Sequence, residues 1–241
     1  MLRAFCCGFL LFLPIGWLLA QGPPPALPTG AGFWQEQLRY PRVRAARAAQ
    51  GAVVAAHLQR HRLDPQQLEI FLRLIKTRRE LEVWGRPGQG SFVRLTSFPL
   101  AATSGTLGPK RRAGDGQMPE GCYKIDRFNP NSNYYLSLGL NYPNAADRAL
   151  GLPDPGGDIF IHGSDVTIGC LPITDKGISE LYVLAVAARA AGQQAIPVHI
   201  FPFPLTPEEL AKHRSSPHYA FWQSLAPAYT YFEANRKLAA E

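Results

Sequence analysis

From Glu80 onward the chain is built of short runs, ELEVWGR, SFVRLTSF, CYKIDRF, YYLSLGL and DIFIH, each set off from the next by Gly or Pro. Apolar and polar positions alternate within them at a period of two, the signature of half-buried strands rather than of a helical face. Strands must be gathered into a sheet with a core, and 241 residues suffice for one substantial core with a helical appendage. The 22 Gly and 22 Pro agree with many turns and argue against a helical bundle.

Helical signals flank the strands. The segment from Phe33 to Leu63 is rich in Ala, Arg, Gln and Leu and reads as helix, with Pro41 marking a break or a new start. A second helix is expected after it: Asp64 suits a cap, Pro65 the first helical position, and Leu68, Phe71, Leu72 and Ile75 recur on one face. Farther on, Thr174 or Asp175 caps a helix through Arg189 that buries Ile178, Leu181, Tyr182, Ala185 and Val186 and stops at Gly192. The run IPVHIFPF reads as a strand, and Thr206-Pro207-Glu208-Glu209 as a capping box opening another helix. The aromatics Tyr219, Phe221, Trp222, Tyr229, Tyr231 and Phe232 suggest C-terminal helices packed on the core. The chain thus divides into an N-terminal helical segment at 33–79, a mainly β unit at 80–204 and C-terminal helices at 205–241, with no internal repeat.

Residues 1–20 read as an export signal, with Arg3 as a minimal positive start and an almost wholly apolar run from Ala4 to Ala20. An uncleaved anchor is the alternative, since the run approaches the length of a membrane span. Residues 21–32, containing GPPPALP, form a stiff linker too poor in apolar side chains to join a core. Cleavage removes Arg3, Cys6 and Cys7, which turns the charge of +7 into +6 and leaves two cysteines, Cys122 and Cys170. In an oxidising compartment two cysteines can be one disulfide, a reading that Cys170 must be weighed against. The basic balance favours anionic surroundings, and export disfavours nucleic acid as the partner.

The stretch DIFIHGSDVTIGC concentrates the chemistry. A strand delivers His162, Gly163 permits a sharp turn, and a polar segment returns the chain to Gly169-Cys170. A thiol of ordinary pKa is only partly ionised near neutrality, so a nucleophilic Cys170 needs an imidazole to take its proton or to stabilise the thiolate. Gly169 leaves room for a substrate carbonyl, where the amides of Cys170 and Gly169 can meet an oxyanion. Ser164 and Thr167 either donate hydrogen bonds around the site or close the loop. Spacing alone leaves other readings open: a turn histidine at 162, a Cys122–Cys170 disulfide, or a metal site drawn from His162, Cys170, His199 and Cys122. That metal set lacks any pair at short ligand spacing. Cys122 reads as a small buried strand residue and His199 as structural. Lys110, Arg111 and Arg112 read as a solvated basic run, with Lys110 the member that can lie near the cleft and meet a carboxylate. Gly114, Asp115, Pro119, Glu120 and Gly121 read as turn chemistry.

HGSDVTIGC resembles the signature of the L,D-transpeptidase catalytic domain, also called the YkuD domain, in which the catalytic residues are a His in a His-Gly pair and a downstream Cys preceded by Gly. Three further blocks, SGTLGPKRRAGDGQMPEGCYKI, NPNSNYYLSLGLNYPN and GCLPITDKGISELYVLA, resemble the short YafK-like branch in the same order. Together they cover roughly Leu81 to Phe203. Members of the wider family place Ser-His before the Gly-Cys and an Arg soon after, whereas this chain reads Thr167-Ile168-Gly169-Cys170-Leu171-Pro172. The second His and the Arg are absent, and the His-to-Cys gap is short, as is typical of the YafK-like branch.

The resemblance implies a mainly β fold of the α+β class, a sandwich or flattened barrel with N-terminal and C-terminal helices and a cleft at one edge. It implies Cys170 as nucleophile, His162 as base, no cofactor and no metal. The substrate it implies is the peptidoglycan stem peptide, processed through a Cys thioester outside the cytoplasm, in the periplasm or cell envelope, without stable membrane insertion once the signal is removed. Transfer to an amine makes or exchanges a crosslink; transfer to water makes the protein an L,D-endopeptidase or amidase, one form of which releases a wall-linked protein. A non-catalytic wall-binding module on the same scaffold is the reading from a different class.

Overall fold

The structure is a computed structural model describing residues 30–239, so the expected signal segment 1–20 and most of the linker 21–32 lie outside the described residues. In chain order the elements are α1 (Ala31–Gln37), α2 (Pro41–Arg60), β1 (Leu68–Ile75), β2 (Glu80–Pro87), β3 (Val93–Pro99), β4 (Gly121–Asn129) and β5 (Ser137–Leu140). They continue with α3 (Ala145–Ala149), β6 (Phe160–His162), β7 (Leu171–Pro172), α4 (Thr174–Ala190), β8 (Ile196–Phe201), α5 (Pro207–Lys212) and α6 (Tyr219–Asn235). The strands form one curled, mixed eight-stranded sheet in the order β3-β2-β1-β8-β4-β5-β6-β7. The pairs β1/β8 and β6/β7 are parallel and the others antiparallel. The fold is α+β with a mainly β centre, and each short run read as a strand contributes one.

One face of the sheet carries the main core. There α4 lays Ile178, Leu181, Leu184 and Ala185, all fully buried, over Leu72, Leu138 and Val198, and α2 packs against α4 through Val43, Ala46, Val54 and Leu58. Truncating any one of the fully buried leucines to alanine is a change of about 2–5 kcal/mol. The opposite face is covered by α6, whose Trp222, Tyr229 and Phe232 meet Phe71, Ile75, Phe201 and Phe203. The expected C-terminal helices therefore form and pack on the core, while Tyr231 stays exposed.

The helix expected over Asp64–Ile75 is instead a three-residue 3-10 turn, Pro65–Gln67, followed by β1. Asp64 does cap, accepting from the Gln66 amide at 2.9 Å. The helical spacing of Leu68, Phe71, Leu72 and Ile75 arises because this strand is buried on both faces: Leu68, Ile70, Leu72 and Leu74 point into the main core, while Phe71 and Ile75 point under α6. An apolar run of that kind satisfies several periodicities at once. The sheet consequently starts at Leu68, one strand earlier than the alternating runs indicate. Arg73 shares the α6 side and is neutralised there by Glu82 at 2.7 Å and by Glu233.

The helix α4 starts as expected, with Thr174 Oγ1 accepting from the Gly177 amide at 3.2 Å, and stops at Gly192, whose φ of 105° suits glycine. Thr206 caps α5 by accepting from the Glu209 amide at 3.3 Å.

Candidate active site

His162 ends β6, flanked by Ser137 on β5 and by Pro172 on β7. Its neighbour Ile161 points the other way into the main core with no exposure, which anchors the strand and fixes which face His162 takes. The register Ile161↔Leu171, continued back by one residue, sets Cys170 opposite Phe160. His162 and Cys170 are then diagonal neighbours on adjacent strands, with Cα atoms roughly 8 Å apart from two residues of rise and one strand spacing.

The imidazole is 2% exposed and its Nδ1 lies 2.6 Å from the Gly163 carbonyl oxygen. A carbonyl only accepts, so Nδ1 carries the proton and Nε2 holds the lone pair. Burial lowers the pKa of His162, and the Gly163 carbonyl offsets this in part. Tyr134 lies over the ring with centroids 4.6 Å apart and is itself 46% exposed. Cys170 is a half-buried thiol whose Sγ lies 3.6 Å from the Asp158 carbonyl oxygen. Burial pushes the thiol up; the Asp158 carboxylate adds to this, while the Phe160 amide and the Lys110 ammonium pull the other way. Among the described residues no hydrogen bond joins Sγ to the imidazole. Both shifts favour the uncharged forms, thiol and imidazole.

The connecting loop is tied at both ends. The Gly163 amide donates to the carbonyls of Tyr134 and Leu136 at 3.1 and 3.2 Å. Glycine is required here by close approach rather than by an unusual φ, because a Cβ would stand 2.4 Å from Asp175 Oδ1 and 2.6 Å from the Tyr134 oxygen. Ser164, at φ 62°, donates its amide to Asp175 Oδ1 at 2.8 Å and accepts from the Thr174 amide at 3.2 Å, which fastens the loop to the start of α4. Thr167 Oγ1 accepts from the Gly169 amide at 3.1 Å and donates to the Cys170 carbonyl at 2.8 Å. Ser164 and Thr167 thus close the loop, and the Gly169 amide is already engaged. Gly169 takes φ 128°, and a Cβ on it would come within 3.0 Å of the Gln117 carbonyl oxygen. At the crest of the loop Val166 and Ile168 are exposed, Ile168 by 87%.

Lys110 is buried rather than part of a solvated run. Its Nζ donates to Asp115 Oδ1 at 2.7 Å and to the Arg112 carbonyl at 2.8 Å, so its charge bears on Cys170 without being open to a ligand carboxylate. Asp115 does serve the turn, as expected: burial would raise its carboxyl, but Lys110 and the amides of Arg111, Arg112 and Gln117 hold it at about 2. Glu120 differs from the turn reading. It is buried beside Lys76 at 2.8 Å, accepts from the Gly108 amide at 2.8 Å and accepts from Trp222 Nε1 at 2.8 Å, which ties the β3–β4 connection to α6.

No disulfide joins Cys122, on β4, and Cys170, which immediately precedes β7, the two strands being separated by β5 and β6. Cys122 faces His199 across β4 and β8, so the four residues weighed as a metal set are not gathered. Among the described residues no group of three His, Cys, Asp or Glu side chains is placed to hold a metal ion, and no helix is long and apolar enough to cross a membrane. Sequence reasoning missed Tyr134 and Gln117. Both stand in quoted blocks, NPNSNYYLSLGLNYPN and SGTLGPKRRAGDGQMPEGCYKI, but nothing in their spacing points them at His162 or Gly169.

Over 170 residues the chain is 37% identical to the "Putative L,D-transpeptidase YafK" of Escherichia coli (strain K12), covering 70% of this chain and 68% of that protein. Its counterpart in Escherichia coli O157:H7 matches equally. No family model matches. Among solved structures, a variant of the helical cell shape determining protein Pgp2 from Campylobacter jejuni superposes with a TM-score of 0.47 at 21% identity, over 70% of this chain and 56% of that one. L,D-transpeptidase 1 of Mycobacterium tuberculosis superposes with a TM-score of 0.30 at 11% identity, over 55% of this chain and 62% of that one.

Proposed function

The chain belongs to the L,D-transpeptidase family through its YafK-like relatives, and on that footing we propose that it is an exported cysteine acyltransferase acting on the stem peptides of bacterial cell wall. The observation that carries the reading is the 2.6 Å approach of His162 Nδ1 to the Gly163 carbonyl oxygen: with Nδ1–H held there, Nε2 is left as the base on the strand beside Cys170. Cys170 Sγ attacks the carbonyl on the L side of an L,D peptide bond while Nε2 takes the thiol proton. The C–N bond then breaks, Nε2 returns the proton to the leaving amine, and a thioester remains on Cys170. An incoming amine attacks the thioester, Nε2 removes its proton, the C–S bond breaks and the thiol is reprotonated. The Sγ–Nε2 hydrogen bond forms on binding of the peptide, since catalytic hydrogen bonds are commonly long or unmade in the free protein.

Export to the periplasm or envelope agrees with the leading apolar segment and with the basic balance of the chain. The test is incubation with purified muropeptides and an added D-amino acid, followed by mass analysis of products and of the protein. The expected result is an acyl adduct on Cys170 and exchange of the D-amino acid, both lost in Cys170→Ala. Addition of water alone would move the protein to the hydrolases, and processing by Cys170→Ala would sink the reading.

A further inference from the structure

An open cleft of about 290 Å³ is bordered by Lys76, Arg79, Thr103, Ser104, Thr106 and Met118. Gln117 separates it from Cys170: its side chain accepts from the Thr106 amide at 2.7 Å and donates to Thr106 Oγ1 at 3.2 Å, while its carbonyl abuts Gly169. The Ala101 amide bonds the Pro172 carbonyl at 2.9 Å, which brings the same wall against β7.

The hydrogen-bonding capacity of this wall is one-sided. Lys76 is spent, since Glu120 and the carbonyls of Thr106, Gly108 and Met118 surround its Nζ within 3.2 Å and take up its three N–H donors. Arg79 uses one N–H on Thr103 Oγ1, at 2.8 Å, and keeps the rest of its fork. Thr103 and Thr106 each accept through oxygen, leaving the hydroxyl hydrogen to donate. Ser104 Oγ is buried and has no partner among the described residues. Among the described residues no acidic side chain lines the cleft. Arg79 itself takes φ 52°, in a turn where glycine or asparagine is the ordinary choice. A ligand that satisfies this wall must accept hydrogen bonds and carry negative charge, and a planar guanidinium fork suits a carboxylate.

The geometry points to a carboxylate-binding subsite for the peptide substrate, with Arg79 reading the charge and Thr103, Ser104 and Thr106 donating to it. The identity of the peptide rests on the acyl-transfer reading; the binding chemistry does not. The experiment is titration calorimetry on the full chain carrying Cys170→Ala, with a synthetic stem peptide ending in an L,D bond and the same peptide with its carboxylates converted to amides. The acid should bind about tenfold more tightly than the amide, the worth of charged hydrogen bonds. Adding Arg79→Gln should abolish that difference and Arg79→Lys, which keeps the charge but loses the fork, should keep only part of it, with the amide's affinity unchanged in both. Equal binding of acid and amide, or discrimination that survives Arg79→Gln, overturns the assignment. Discrimination as expected, in a protein whose wild type forms no Cys170 adduct, leaves the subsite standing and sinks the acyl-transfer reading instead.

Discussion

His199 offers a quantitative test of how the two-sided burial of the sheet bears on stability. It lies on β8 opposite Arg73 on β1, with its ring 4.8 Å from Phe71 and 5.7 Å from Phe201, and its Nδ1 is buried without a hydrogen-bond partner among the described residues. Burial, with the Arg73 charge adding to it, lowers its pKa from 6.5 to about 4. The fold therefore favours the neutral ring. The stability from this preference is intact above pH 6.5 and is lost as pH falls from there toward 4. At pH 5 the unfolded chain has mostly taken up the proton and the folded one has not, which destabilises the fold by about 2 kcal/mol, rising to about 3 kcal/mol well below pH 4. Urea unfolding of wild type and of His199→Leu at pH 7.5 and pH 5 reads this directly, because the other titrating groups, His162 included, are common to both proteins. The wild type should lose about 2 kcal/mol more than the variant between the two pH values. Equal losses, or a His199 ring that titrates above pH 6 in a magnetic resonance titration, would refute the reasoning.

Two further outcomes bear on the site. Gly163→Ala drives a methyl group against Asp175 and the Tyr134 carbonyl, so it should destabilise the fold by about 1–3 kcal/mol and lower turnover by about a hundredfold. Urea unfolding together with product analysis checks both, and near-normal turnover would mean that the Gly163 carbonyl does not need its place beside Nδ1. The raised thiol and lowered imidazole predict that alkylation of Cys170 by iodoacetamide accelerates steadily with pH through and beyond the ordinary thiol range and hardly changes in His162→Ala. A rate plateau from about pH 6 to 8 would instead show a thiolate–imidazolium pair.

The strands from β2 to β6 were legible in the sequence because each presents one clear alternation bounded by Gly or Pro, and the caps of α4 and α5 because they rest on local hydrogen bonds. The strand β1 was not, since residues apolar on both faces erase the period of two. The His162–Cys170 pair was legible as chemistry and as a family motif, but the fine roles of its loop depend on contacts from afar. Gly163 faces Asp175 and Tyr134, and Lys110 is spent on Asp115, neither of which spacing reveals. Glu120 reads as a turn residue until Trp222, 102 positions away, donates to it.

The parallel pairing of β6 and β7 separates two things that a linear motif runs together. His162 is held by β5 and by the Gly163 anchor, and Cys170 enters β7 through the Thr167 clasp, so Asp165 and Val166 between these ties hold neither. Lengthening that crest around Asp165 and Val166 adds a solvent-side excursion whose closure costs only about 0.6 kcal/mol for each doubling of length. An insertion between Asp165 and Val166 is therefore expected to reshape the rim while the ties at Ser164 and Thr167 keep His162 and Cys170 in place.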